Sequence, residues 1–411
     1  MKLFPYGHAT HPAWRIAVAL VVAQVRARMA TANYARSANL GLLYFSDHYA
    51  RDAEAILEAL QDEFPQVTDW AGSVSVGVMG SHAEYMGDAA LSVMLLDLPA
   101  DAYRIFSGIA PIPTLPGIAG FQAETALVHA DGALPELDNL LEELSERTRR
   151  QTLAGGVSSG IVAPVQIAWS KALAPGHSGV FTGGLSGIAF HSEAQAVIRL
   201  AHGCDAVTAR MRVSVAEENV VLELDGRPAL DVLEQVLQVS IAQHPEDAVR
   251  RMPHFLVGLE DAHALPFAGP MASARMRPLL GLDISRRGIV LPEAVAVGQW
   301  LSFCQRSLAT AKSDLVRMGT EVREELSAPS FMAKAFGTGT GRDPRRYIAG
   351  AIYVSCIGRG GPYFGGEHAE LELLHQTLGD IPLIGFFSNG QIADRHLHRY
   401  SGVLLTFLQP R

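Results

Sequence analysis

The chain has 411 residues, 48% of them hydrophobic and 18% charged, with a formal net charge of −9. That length carries two or more domains, and that balance of apolar and charged residues builds a folded chain rather than a disordered one. The negative charge and the lack of any long Lys/Arg run argue against a nucleic-acid partner, and three widely spaced cysteines (Cys204, Cys304, Cys356) argue against a disulfide scaffold and for a reducing, cytoplasmic setting.

The first apolar stretch, Ile16 to Val25, is too short for a bilayer, which takes about 20 apolar residues. Arg15 abuts it, so it reads as a buried helix from Ala13 to about Ala30, neither signal peptide nor membrane span. Asn39 to Ser46 is a buried-strand pattern. Asp47 and Asp52 precede a helix whose Ala53, Ile56, Leu57 and Leu60 fall at helical spacing, with Pro65 just beyond. Ser73 to Gly80, Leu91 to Leu96 and Tyr103 to Phe106 read as strands. Ile109 to Pro116, with three prolines, is a stiff loop. A helix runs from Pro135 to Arg150, and Thr152 to Val157, Val162 to Trp169 and Gly179 to Phe190 are strands that close the first half.

The pattern restarts near residues 195 to 203, which divides the chain into 1–200 and 201–411. Ala206 to Val215 and Asn219 to Leu224 are strands, and Pro228 opens a helix to about Ile241. His254 to Leu259 is a strand and His263 to Arg277 a surface loop. Strands at Pro278 to Asp283, Gly288 to Leu291 and Gln299 to Gln305 precede an amphipathic helix, Leu308 to Leu326. Ser327 to Arg346 is a connector. Then comes a strand, Tyr347 to Cys356, a glycine-rich turn around Arg359, a helix from Glu367 to Leu378, and a strand, Ile381 to Phe387, ending in Ser388-Asn389-Gly390-Gln391.

Two stretches repeat. Gly41 to Ser46 (GLLYFS) parallels Gly350 to Ser355 (GAIYVS), and each precedes a helix and then a GxxSxG hexapeptide, at Gly72 to Gly77 and Gly385 to Gly390. A third hexapeptide spans Gly155 to Gly160. The reading is a duplicated β–α–β unit in which glycine admits a close backbone and serine offers a short hydroxyl. The plainer reading is small residues where sheets or loops touch.

These residues carry a resemblance. VSCIGRG at Val354 to Gly360, IPLIGFFSNG at Ile381 to Gly390, HRYSGVLLTF at His398 to Phe407 and HGCDAV at His202 to Val207 resemble the C-terminal domain of the FIST (F-box and intracellular signal transduction) family. GLLYFS, the GSVSVG and GGVSSG hexapeptides, and GGLSG at Gly183 to Gly187 resemble its N-terminal domain. The resemblance implies a sensory module for small ligands, amino acids among those proposed. One departure is Gly390-Gln391-Ile392, where the family commonly has Gly-Glu-Ile.

Arg359 between Gly358 and Gly360 suits a ligand carboxylate or phosphate bound bidentately; the alternative is pairing with Glu367 or solvent. Cys356 beside that cation suits a thiolate, with His368 and His375 as partner histidines; the alternative is a buried apolar thiol. Ser158 matches a GxSxG nucleophile elbow, but that motif needs a helix immediately afterwards, and Ile161 to Val165 is β-branched and broken by proline. His396 and His398 form an HxH pair with no second cluster, so no metal is expected. Thr338 to Gly341 (TGTG) lacks the Walker spacing, no dinucleotide fingerprint occurs, and no cofactor is expected.

The expected fold is α/β, two related halves with pseudo-two-fold similarity in a layered sandwich. The expected function is non-enzymatic: a sensor of intracellular signal transduction that binds an amino acid or other small carboxylate between the halves and passes the change to a partner protein. Arg359 would hold the carboxylate, Ser75, Ser158, Ser388, Asn389 and Gln391 would add hydrogen bonds, and Cys356 and the backbone of Gly358 and Gly360 would complete the site. The competing classes are a hydrolase or transferase with Cys356 or Ser158 as nucleophile, and a ligand-free interaction scaffold.

Overall fold

The computed structural model describes residues 2–112, 121–174, 176–263, 274–327 and 346–410. The TGTG run at 338–341 and parts of the loops predicted at 109–116 and 263–277 lie outside them. The chain forms two compact units, one of Met1–Ala201 with Leu315–Arg411, the other of His202–Asp314.

The first unit begins with β1 (Tyr6–Thr10), α1 (Trp14–Met29), β2 (Leu40–Ser46), α2 (Ala53–Glu63), β3 (Asp69–Ser75), β4 (Gly77–Gly80), β5 (Ala83–Met86) and β6 (Ala90–Leu96). It continues through β7 (Tyr103–Ser107), β8 (Thr125–Asp131), α3 (Leu137–Glu146), β9 (Leu153–Ser158), β10 (Val165–Ser170), β11 (Gly179–Thr182), β12 (Leu185–Phe190) and β13 (Ala196–Ala201). The second unit holds β14 (Cys204–Ala206), β15 (Met211–Glu217), β16 (Val220–Leu224), β17 (Arg227–Pro228), α4 (Ala229–Leu237), α5 (Pro245–Arg251), β18 (Phe255–Glu260), β19 (Arg275–Pro278), β20 (Gly281–Asp283), β21 (Gly288–Val290) and β22 (Trp300–Arg306). Its nine strands form one sheet, with Val257, Leu301 and Phe303 packed on Leu230, Leu233 and Leu237 of α4. Helix α6 (Leu308–Ser327) carries the chain out of it. The first unit then resumes with β23 (Arg346–Cys356), α7 (Ala369–Leu378), β24 (Leu383–Ser388), β25 (Gln391–Asp394), β26 (His396–His398) and β27 (Gly402–Pro410).

The α/β class is as the sequence predicts, and within the first unit the repeated module occurs three times. Three six-stranded sheets run β1-β6-β2-β3-β10-β11, β7-β12-β8-β9-β25-β26 and β13-β27-β23-β24-β4-β5. The third and fourth strands of each are the parallel pair of a β–α–β unit: β2 and β3 around α2, β8 and β9 around α3, β23 and β24 around α7. Every residue of β2 is buried, which explains its apolar run without alternation. The inner faces of all three sheets share one core that includes Tyr44, Leu127, Ile188, Val354, Phe386 and Phe407. Helices α1 and α2 cover the outer face of the first sheet, and α3 packs over the second.

The hexapeptides are the turning points. A Cβ on Gly72, Gly155 or Gly385 would lie 1.8, 1.9 or 1.8 Å from the carbonyl oxygen of Leu43, Val128 or Tyr353 on the parallel neighbour, so no side chain fits at any of them. After each hexapeptide the chain leaves its own sheet for another. β4 joins β24, β25 joins β9 and β10 joins β3, all antiparallel. Ser73 to Gly80, which reads as one strand, is therefore two strands in two sheets. Gly179 to Phe190 is likewise two, turned at Gly183 and Gly184, both at positive φ (82° and 85°). The repeat alignment also moves by one residue. Gly72 opposes Leu43 and Gly385 opposes Tyr353, so Tyr44 corresponds to Val354, not to Tyr353.

Candidate functional site

The three serines of the hexapeptides meet where the three sheets exchange strands. The Ser75 hydroxyl lies 2.5 Å from the Phe387 carbonyl oxygen, that of Ser388 2.8 Å from Val157, and that of Ser158 3.1 Å from Val74. Each thus reaches the residue that precedes the next serine, and the three contacts close a ring. Ser159 braces it, with its hydroxyl 2.7 Å from the Phe387 oxygen and accepting from the Val76 N–H at 3.1 Å. All four serines are buried. Gln391 is buried beside them: its amide donates to the Ser388 carbonyl (2.9 Å) and its oxygen accepts from the Ser401 N–H and hydroxyl (3.3 and 3.1 Å). Asn389 is exposed on the turn between β24 and β25.

No helix follows Ser158; residues 159–164 turn into β10, so the context of a nucleophile elbow is missing there. Cys356 is buried at the end of β23, its N–H donating to the Ser401 carbonyl at 3.0 Å. The two histidines considered as its partners are engaged elsewhere: His368 Nδ1 accepts from the Glu84 N–H at 2.9 Å, and His375 faces the carbonyls of Ser81 and Gly379. His396 and His398 lie on β26, opposite Ala393 and Gln391.

Beyond Cys356 the turn exposes Gly358 and folds Arg359 inward, to 1% exposure. The guanidinium lies against Glu370 in the first turn of α7, with Nε and Nη2 at 2.9 and 2.8 Å from one carboxylate oxygen. Glu370 also accepts from the Tyr353 hydroxyl (2.6 Å) and the Ser355 hydroxyl (2.7 Å). Nη1 lies 3.4 Å from the Tyr400 carbonyl, and the Phe364 ring stacks 5.2 Å from the guanidinium. Burial, the largest single influence, would lower the Arg359 pKa; the Glu370 charge and its hydrogen bond, with Tyr353 beside them, together raise it instead. The partner is Glu370, not Glu367, because His368 takes a left-handed φ of 63° and starts α7 beyond it.

In front of this pair is a cleft of about 860 Å³. One wall comes from the hairpin that the first module lends to the third sheet, with Glu84, Tyr85 and Asp88. The other comes from the third module's own loop, with Ile357, Gly360, Gly361, Glu367 and His368. Of the residues expected at the site, Gly360 lines it. Its Cβ position is already filled by Phe387 and Met86 (2.6 and 2.8 Å), so a side chain here would close the wall. Glu84 is 9% exposed. Its carboxylate accepts from the N–H groups of Leu371 (3.2 Å) and Gly361 (3.4 Å). Burial, reinforced by the nearby Glu370 charge, pushes its pKa up to about 7. Beside it the Tyr85 hydroxyl lies 2.8 Å from His8 Nδ1, and burial lowers the His8 pKa to about 4, so that imidazole is neutral at pH 7. No Lys or Arg is among the described residues that line the cleft. Sequence reasoning missed Glu84 and Asp88 because nothing in the run from Ala83 to Asp88 marks it as facing a loop some 270 residues later.

A smaller cleft of about 540 Å³ occupies the corresponding place in the first module, lined by Asp47, His48, Arg51, Val76, Ile161 and Val162. The Asp47 carboxylate is already engaged by the Val162 N–H at 3.1 and 3.3 Å. Among the described residues no helix is long and apolar enough to cross a membrane.

Comparison with known proteins finds two domain models in order along the chain, which meet near residue 228, inside the second unit. The FIST N domain matches residues 39–227 and the FIST C domain matches residues 229–394. An uncharacterized protein of Mycobacterium tuberculosis is 25% identical over 417 residues, covering 98% of each chain. An uncharacterized protein of Mycobacterium bovis is 29% identical over 215 residues, 51% of this chain and 50% of its own. With both domain types matched in order along most of its length, the chain belongs to the FIST family, whose domains are sensory domains of signal transduction.

Proposed function

We propose that the protein is a non-enzymatic, cytoplasmic sensor whose small ligand occupies the cleft between the Ala83–Met86 hairpin strand and the 357–368 loop. One observation carries this reading: the cleft is walled by segments from both ends of the first unit, and Glu84, a buried carboxylate, lines it. A ligand there would tie the lent hairpin to the loop. Its binding free energy would bias their relative position, and a partner protein would read that change. In this reading Arg359 is a positioning residue that anchors the loop through Glu370, while Gly360 and the backbone around it form the wall. The buried serines and Gln391 hold the strand exchange behind the cleft, with their hydroxyls and amide committed to backbone.

A thermal-shift screen of amino acids, carboxylates and amines tests this, with Gly366→Trp as the blocking variant. Gly366 lines the cleft and a Cβ there meets nothing within 4 Å, so the position accepts a side chain, and an indole is chosen to obstruct the cleft. The expected result is a ligand that raises the wild-type melting temperature and does nothing to Gly366→Trp. A hit that stabilises both equally removes the cleft from consideration. A screen without any hit removes the small-ligand reading.

A further inference from the structure

We infer that the cleft is an ammonium site: it recognises its ligand by a primary amine held on Glu84, with Asp88 and Glu367 adding negative charge, and it needs no carboxylate on the ligand. This rests on the cleft being the ligand site. The charge of the lining carries the argument. Three carboxylates and no Lys or Arg are among the described lining residues. Arg359, the cation the sequence suggests for a carboxylate ligand, is 1% exposed and lies against Glu370. A carboxylate entering the cleft would meet acids alone, whereas an ammonium meets a set of acceptors.

Glu84 supplies the directional contact. It is more than nine-tenths buried and lines the cleft. It accepts a hydrogen bond from a backbone amide on each oxygen, Gly361 on one and Leu371 on the other. A carboxylate has about four lone-pair sites, so about two remain for an ammonium, which brings three donors. The charged and titratable groups around it give no competing cation on the cleft side. On its own hairpin these are Tyr85 and Asp88. On the facing loop and α7 they are Glu367, His368, Glu370 and Glu372, with His368 using Nδ1 as an acceptor. Arg359 stands behind, against Glu370. An uncompensated buried carboxylate is costly to the free protein, and an ammonium ligand relieves that cost on binding. The carboxylate's raised pKa agrees with this geometry.

The test uses the full-length protein and three probes of matched length: 1,4-diaminobutane, 4-aminobutanoate and butanoate. Affinities are measured by calorimetry at pH 8 in 0.15 M salt, which screens diffuse attraction to the net negative chain. The diamine and the amino acid are expected to bind and butanoate to give no heat. Glu84→Gln should weaken the diamine about tenfold or more, and Glu367→Gln, at the exposed rim, about two- to threefold. Diamine affinity should also fall as pH drops from 8 to 5.5 and Glu84 takes up a proton. Binding of butanoate in preference to the diamine overturns the inference, as does a diamine affinity unchanged by Glu84→Gln or by Gly366→Trp. The two readings separate cleanly. If butanoate binds and Gly366→Trp abolishes it, the sensory cleft stands and the ammonium assignment falls. If nothing binds in this series or in the wider screen, both fall.

Discussion

Glu84 also makes a stability prediction that needs no ligand. Its pKa in the folded protein is about 7, against 4.5 for the ordinary side chain. Below about pH 4.5 the carboxyl is protonated in folded and unfolded chains alike, and burial carries no charge penalty. Between 4.5 and 7 the unfolded chain ionises first, so the folded state loses stability as pH rises. Above 7 the full difference is present, roughly 3 kcal/mol. Glu84→Gln removes that penalty. The amide keeps one acceptor oxygen for Leu371 or Gly361 and gives up the other contact, a loss of about 1 kcal/mol. The variant should therefore be more stable than wild type by about 2 kcal/mol at pH 8, and slightly less stable at pH 4.5. In a domain of this size that is a melting-temperature gain of about 4 °C at pH 8. Differential scanning calorimetry of both proteins at pH 4.5, 6 and 8 checks it. A difference of constant sign and size across that range, or a variant less stable at pH 8, would refute the account of a buried carboxylate without a cation.

Two further substitutions probe what lies behind the cleft. Arg359→Met leaves Glu370 buried without its cation and should cost about 3–5 kcal/mol; adding Glu370→Gln should recover much of that loss, which urea denaturation of the single and double variants measures. Gln391→Glu sets a carboxylate against the Ser388 carbonyl in place of an N–H donor. It should cost about 1–3 kcal/mol near neutral pH. Because burial there raises the carboxyl pKa above its unfolded value, the loss should shrink as pH falls toward 4, and denaturation midpoints at pH 4.5 and 8 would show it.

Two of the three modules, and the hexapeptide of the third, were legible in the sequence because their constraint is local. A Cβ at the first glycine of each hexapeptide would overlap a neighbouring carbonyl, so the residue type is forced and the pattern appears three times. The register between copies was not legible. Aligning Tyr44 with Tyr353 looks natural, yet successive strand residues face opposite sides. The one-residue offset sends Tyr44 to the inner core beside Phe386 and His129, and Tyr353 outward to Glu370. The turn around Arg359 was legible, but its partner depended on how the chain turns at His368, whose positive φ is uncommon for any single non-glycine residue and so was not predictable at this position. The strand exchange was hidden for a similar reason. Val76 and the residues around it read as a continuous small-residue strand, and which sheet takes each end is decided by partners far away in the chain.

That exchange has a consequence for how the protein is made. Strand β4 leaves its module by residue 77, but the strand it pairs with is β24. Ser81 and Leu383, joined by hydrogen bonds in both directions, are separated by 302 positions. During synthesis the lent hairpin emerges early, β4 paired with β5 on one side, and its other edge waits unpaired until β24 has left the ribosome. Contacts of such long separation form slowly. The exposed edge in the meantime is a natural target for a chaperone, and for mispairing with a second nascent chain. A chain truncated before residue 383 would carry that open edge permanently, so loss of β24 exposes a strand about 300 residues earlier in the sequence.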